Sequence, residues 1–156
     1  MPLRPRNHPL GFAARTWKNL EFIENAFEAG EDVHVVTQLV VSLLGLVVFP
    51  RERRFNMDAL RVTLDDLEAG GWPSWSVEVG HVKTLNDVVR HLRNSIAHGR
   101  IHFTSESRRL HEVVLIAEDV DPSTGRTVWK ASMAGDDLRK FCRHLSALLE
   151  KSAVAD

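Results

Sequence analysis

The sequence predicts a mainly α fold, an antiparallel helical bundle with a small β-hairpin just before the C-terminal helix. Three observations predict it. Residues 16–29, 84–98 and 136–149 repeat apolar side chains at three- and four-residue spacing, the period of a helix with one buried face. Residues 110–117 and 126–133 instead alternate, as half-buried strands do. A hydrophobic content of 44% with 26% charged residues is that of a soluble globular chain. At 156 residues the length suits one domain, able to bury roughly two thirds of its unfolded surface.

In chain order, residues 1–15 read as an extended N-terminal arm rich in proline and arginine, ahead of a single domain over residues 16–156. The arm has no apolar run of signal-peptide length, so a cytoplasmic protein is expected. Leu20, Ile23 and Phe27 make the first amphipathic helix, which Gly30 ends. Residues 33–48 are apolar almost all round and predict a central helix stopped by Pro50. The apolar run is far short of the roughly 20 residues that span a bilayer, so no membrane partner is expected. Arg51, Arg53 and Arg54 follow it as a candidate phosphate-contacting cluster, with a solvated loop as the plainer reading. Residues 56–68 predict a short helix, and Trp72 and Trp75 in the Gly-rich loop beyond it are assigned to the core rather than to base stacking.

After the strands, Asp136 is placed as the cap of the last helix, whose stripe includes Phe141, Cys142 and Leu145. Residues 119–125 hint at an oxygen-lined cation loop but lack its remaining ligands, so a hairpin turn is expected. Cys142 is the only cysteine, which excludes an internal disulfide and a multi-cysteine zinc site. His102 and His111 lack a third ligand at any recognisable spacing, and neither metal nor cofactor is expected. The net charge of −1 does not advertise a polyanion partner, yet fifteen of the twenty cations are arginine, the better bidentate phosphate ligand.

The helix over residues 84–98 carries the candidate chemistry. Leu85, Val88, Val89, Leu92 and Ile96 form its apolar stripe, while Asp87, His91, Asn94 and His98 fall opposite. Thr84 with Asp87 is a capping pair, and Gly99 is a left-handed stop. Arg93 and His98 stand at R-x4-H spacing. With fifteen Arg and eight His, about one such pair arises by chance, and Arg139 with His144 is a second. Context separates them: the first has an amide, Asn94, beside the Arg and ends at a helix stop, whereas the second lies within a continuing helix and is assigned to the surface.

The run LRNSIAHGRI, residues 92–101, resembles the signature helix of HEPN domains, whose RNA-cleaving members carry Arg, a polar residue and His at this separation. The apolar segment over residues 35–54, the Gly-Trp-Pro-Ser-Trp loop and the last helix are similar, in order and spacing, to a small subgroup of single-domain bacterial HEPN proteins. The resemblance implies a HEPN-like helical domain and two copies of the motif helix paired across a homodimer. It also implies a toxin-antitoxin or phage-defence role, with an antitoxin or a nucleotidyltransferase as partner.

RNA supplies its own nucleophile, the ribose 2′-hydroxyl, so its cleavage needs a base, a proton donor and charge stabilisation but no metal. Under that reading His98 is the acid/base, Arg93 stabilises the phosphorane oxygens and Asn94 orients the imidazole or the phosphate. Arg90 and Arg100 hold flanking phosphates. The alternative is a non-catalytic HEPN module that binds RNA, a nucleotide or a partner protein. The plainest reading has the three motif residues merely satisfying a buried helix end.

Overall fold

The structure is a computed structural model that describes residues 9–52 and 57–152, with the side chains of residues 9, 10, 49–52, 57 and 152 left aside. Its α-helices are α1 (Pro9–Glu28), α2 (Val35–Glu52), α3 (Leu64–Ala69), α4 (Leu85–Ala97) and α5 (Gly135–Ser152). Its strands are β1 (Ser76–Val79), β2 (Ile101–Phe103), β3 (Val114–Val120) and β4 (Thr127–Ala134). Two compact units divide the chain, one of residues 1–59 with 141–156 and one of residues 60–140.

In the first unit, α1 starts at Pro9 and covers residues 9–15, which corrects that part of the extended arm expected over residues 1–15; residues 1–8 lie outside the described residues. Proline is tolerated in a first helical turn because the N–H it lacks has no partner there. Gly11 and Ala13 are buried small residues, a signal weaker than the leucine stripe that marks the rest of the helix. Residues Gly45 of α2 and Phe12 of α1 meet closely: a Cβ on Gly45 would lie 2.7 Å from the Phe12 ring. Leu39, Leu43, Leu46 and Val47 fill the buried side of α2. The helix continues two residues past Pro50 rather than stopping there, because a proline in a last turn removes a single ladder bond. The side chain of Arg51, and all of Arg53 and Arg54, lie outside the described residues.

In the second unit the expected helix over residues 56–68 is split into a 3-10 turn, Met57–Arg61, and α3. Thr63 divides them. Its hydroxyl accepts from the Asp66 N–H at 3.2 Å and caps α3, while its backbone bridges Thr84 at the start of α4. Leu64 N–H to the Lys83 carbonyl and Leu85 N–H to the Val62 carbonyl complete that clasp.

The expected two-stranded hairpin is the centre of a four-stranded antiparallel sheet of order β1-β4-β3-β2. β1 and β2 have four and three residues, too short to show an alternating period. β3 starts at Val114 rather than residue 110, because Leu110–Glu112 forms a 3-10 turn. Asp121 accepts from the Ser123 N–H at 2.8 Å and from its hydroxyl at 2.7 Å, so the 119–125 segment turns the hairpin. Gly135, not Asp136, begins α5, where a Cβ would meet the Leu110 carbonyl oxygen at 2.4 Å. Cross-strand pairs Leu115↔Met133, Ala117↔Ala131 and Asp119↔Trp129 line the inner face of the sheet, and all six residues are buried. α4 packs across β3 on this sheet.

Candidate functional site

α4 is held at both ends by its own sequence. At the start, the Thr84 hydroxyl accepts from the Asp87 N–H at 3.3 Å and the Asp87 carboxylate accepts from the Thr84 N–H at 3.1 Å, a reciprocal capping box. The Lys83 N–H also donates to that carboxylate at 3.1 Å. Partial burial pushes the Asp87 carboxyl up, but the Lys83 and Thr84 hydrogen bonds and the nearby Arg90 outweigh it and hold the group below its ordinary value. Leu85, Val88, Val89 and Leu92 are buried and anchor the helix. At its end, His98 is the last half-helical residue and Gly99 turns the chain at φ 65°. The Gly99 N–H bonds the Ile96 carbonyl at 3.1 Å and the Arg100 N–H bonds that of Ser95 at 2.8 Å, which satisfies two orphan carbonyls. The Arg100 carbonyl then accepts the Glu118 N–H at 3.1 Å, so the turn passes directly into β2.

This end of α4 collects most of the candidate residues. Arg93 is half-buried, and His98 and Arg100 are exposed. The side chains of these three make no hydrogen bond or ion pair with the described residues. Arg90, also exposed, lies 3.8 Å from Asp87, its neighbour one turn back. Arg93 and His98 are about 140° apart around the helix and roughly 7.5 Å apart along it, so one copy presents them on different sides. Arg139 and His144, assigned to the surface from sequence, are half-buried on α5.

Asn94 behaves differently from Arg93 and His98 beside it. Its Nδ2 donates to Oδ2 of Asp119, on β3, at 3.1 Å. The same oxygen lies 2.7 Å from Nδ1 of His91, and because a carboxylate only accepts, Nδ1 carries the hydrogen. The His91 ring stacks on Trp129, with centroids 5.2 Å apart and planes 8° from parallel. Trp129 in turn packs against Trp75 at 6.1 Å, which puts the loop tryptophan on the core. Asp119 and Trp129 are direct cross-strand partners, so a single rung of the sheet supplies both the carboxylate and the ring under the imidazole.

His91 and Asp119 are the members of this cluster that sequence reasoning missed. The wheel set His91 opposite the apolar stripe, but it lies only about 40° from Ser95, which is fully buried. The sheet covers that flank as well. An acidic residue on the inward phase of an otherwise apolar strand was the available signal, because a lone buried carboxylate demands a partner. Among the described residues no group of three or more His, Cys, Asp or Glu is arranged to hold a metal ion.

The profile of the HEPN pEK499 p136 family matches residues 3–154. The chain belongs to this HEPN family. No curated protein and no solved structure matches it. HEPN membership fits the mainly helical chain, and it points in general to a ribonuclease or a nucleotide-binding module. α4 is the element of this HEPN domain on which Arg93, Asn94 and His98 sit. No helix among the described residues is long and apolar enough to cross a membrane.

Proposed function

We propose that this HEPN protein is a metal-independent endoribonuclease of the R-x4-H type, with a toxin-antitoxin or phage-defence role. The observation that supports it is the contrast at the end of α4: Arg93, His98 and Arg100 have no protein partner for their side chains among the described residues, while Asn94 between them is held by a buried carboxylate. Unpaired guanidinium groups and an unpaired imidazole around a fixed amide suit an anionic ligand that brings its own oxygens.

In the reaction, the 2′-hydroxyl oxygen attacks the adjacent phosphorus as His98 takes its proton. The P–O5′ bond breaks, the 5′-oxygen receives a proton from a second imidazole, and a 2′,3′-cyclic phosphate remains. Arg93 stabilises the pentacoordinate phosphorane through charge-assisted bonds that strengthen as charge develops. The separation of Arg93 and His98 around one helix favours a homodimer in which two helix ends share one phosphodiester, the second copy supplying the second imidazole. Arg90 and Arg100 take flanking phosphates, and an antitoxin or nucleotidyltransferase would act on the same surface.

The test is cleavage of single-stranded RNA in EDTA. Wild type should cut, and His98→Ala should lose at least about a hundredfold in rate, the usual contribution of an acid/base group, with an unchanged far-UV circular dichroism spectrum. Arg93→Ala should fall similarly. Wild type that cuts only with a divalent metal, or does not cut, rejects the proposal. The second reading, a module that binds RNA, a nucleotide or a partner without turnover, draws on the same divergence of Arg93 and His98. RNA binding without cleavage selects it.

A further inference from the structure

We propose that Asp119 is a positioning residue, which holds Nδ2 of Asn94 and thereby presents the amide carbonyl Oδ1 as an acceptor fitted to the 2′-hydroxyl of a ribose flanking the one that attacks. The inference rests on the ribonuclease reading only in taking RNA as the ligand. A free asparagine amide can turn over and offer either a donor or an acceptor to a ligand. Here the choice is made from behind. Asp119 is 6% exposed and faces inward from β3, and its Oδ2 takes Nδ2 of Asn94 at 3.1 Å. An amide turned the other way would set its carbonyl oxygen against a carboxylate oxygen, so the donor end is committed to the protein.

Oδ1, on the far side of the amide carbon, accepts no hydrogen bond from the described residues. Asn94 lies about 40° around the helix from Arg90 and from His98, and thus between a phosphate ligand and the acid/base. An acceptor in that position recognises a hydroxyl that donates. DNA has no hydroxyl there, and a 2′-O-methyl ribose has no hydrogen to give. His91 completes the arrangement from the other side: its Nδ1–H on the same carboxylate oxygen and its stack on Trp129 keep Asp119 from following Asn94 outward.

Binding is measured by fluorescence anisotropy in the His98→Ala background, which blocks turnover, with three single-stranded 12-mers of one sequence: RNA, DNA and 2′-O-methyl RNA. The parent should prefer RNA to the other two by roughly tenfold, the worth of about one good hydrogen bond. Asp119→Ala, which removes the acceptor, should bring RNA down to the level of DNA and leave DNA affinity within about twofold, and Asn94→Ala should do the same. Combining the two substitutions should add nothing, because Asp119 acts through Asn94. Equal weakening of RNA and DNA by Asp119→Ala, an intact RNA preference in either variant, or additive losses would overturn the proposal.

A measurement on the unsubstituted protein stands apart from any folding defect. The Asn94 side-chain amide should exchange its hydrogens slowly by NMR, and an amide that exchanges as fast as an exposed one overturns the proposal. Absence of cleavage by wild type, with the RNA preference and its loss in Asp119→Ala intact, rejects the ribonuclease reading and leaves Asp119 in this role.

Discussion

A carboxylate that is 6% exposed and an imidazole that is 9% exposed hold one another between a helix and a sheet, and neither is easily replaced alone. Removing one leaves the other buried without its partner, which costs more than the pair itself contributes. The pair was illegible in the sequence because its members are 28 residues apart and no local pattern links them. Arg93, Asn94 and His98 were legible, since one helical segment carries all three and a glycine marks where it stops. Which of their side chains is tied to the protein and which has no partner among the described residues was not legible, because that depends on a strand contributed from beyond the helix.

Cys142 illustrates a residue whose role the stripe did reveal. It is fully buried on α5, and burial pushes its thiol up from 9.0 to about 12. The folded thiol therefore keeps its proton where the unfolded one loses it, so stability should decline as pH rises above about 9. The native protein should resist iodoacetamide at pH 8 and react at once after denaturation in guanidinium. Rapid labelling of the native thiol, read by mass spectrometry, would contradict this burial.

At the scale of elements, α4 depends on a cap made of two side chains. Thr84→Ala removes the hydroxyl that accepts the Asp87 N–H and should cost about 1 kcal/mol in urea unfolding. The Asp87 carboxyl, held below its ordinary value, adds stability that is present above pH 3.8 and fades as pH falls through its folded value. In Thr84→Ala that acid-limb loss should shrink, because part of the carboxylate's support comes from Thr84. An unfolding free energy indistinguishable from wild type at pH 7 would show that the cap is not formed.

Elements with a strong period were the legible ones. α4, α5 and the β3-β4 hairpin each repeat an apolar phase over seven residues or more. β1 and β2 escaped because strands of four and three residues leave no phase to count. The two prolines misled in opposite ways. Pro9 opens α1 where an arm was expected, and Pro50 sits inside the last turn of α2 where a stop was expected. In both places the ring removes at most one ladder bond, so neighbouring contacts decide the outcome.

Across the whole molecule, every candidate for RNA contact or catalysis whose side chain is described, together with His91 and Asp119, lies in the unit of residues 60–140. If two copies unite their α4 ends over one phosphodiester, the protein in solution should have twice the 17.6 kDa mass of the chain. Mixing wild type with an excess of His98→Ala should then depress cleavage beyond simple dilution, because a mixed pair keeps one imidazole where the reaction uses two. Sedimentation at the single-chain mass in the micromolar range, or cleavage strictly proportional to the wild type added, would remove the shared site.

Only Gly99 and Arg100 separate His98 from β2, and the Arg100 carbonyl is already fastened to β3 through the Glu118 N–H. The backbone of His98 is thus mounted on a short tether. Side-chain rotation remains to the imidazole, but movement of its Cα would have to drag a strand out of register. If RNA is the ligand, as proposed, the strand would have to bend towards this position rather than be grasped by a moving backbone, which should favour loops and unpaired stretches over stiff duplex.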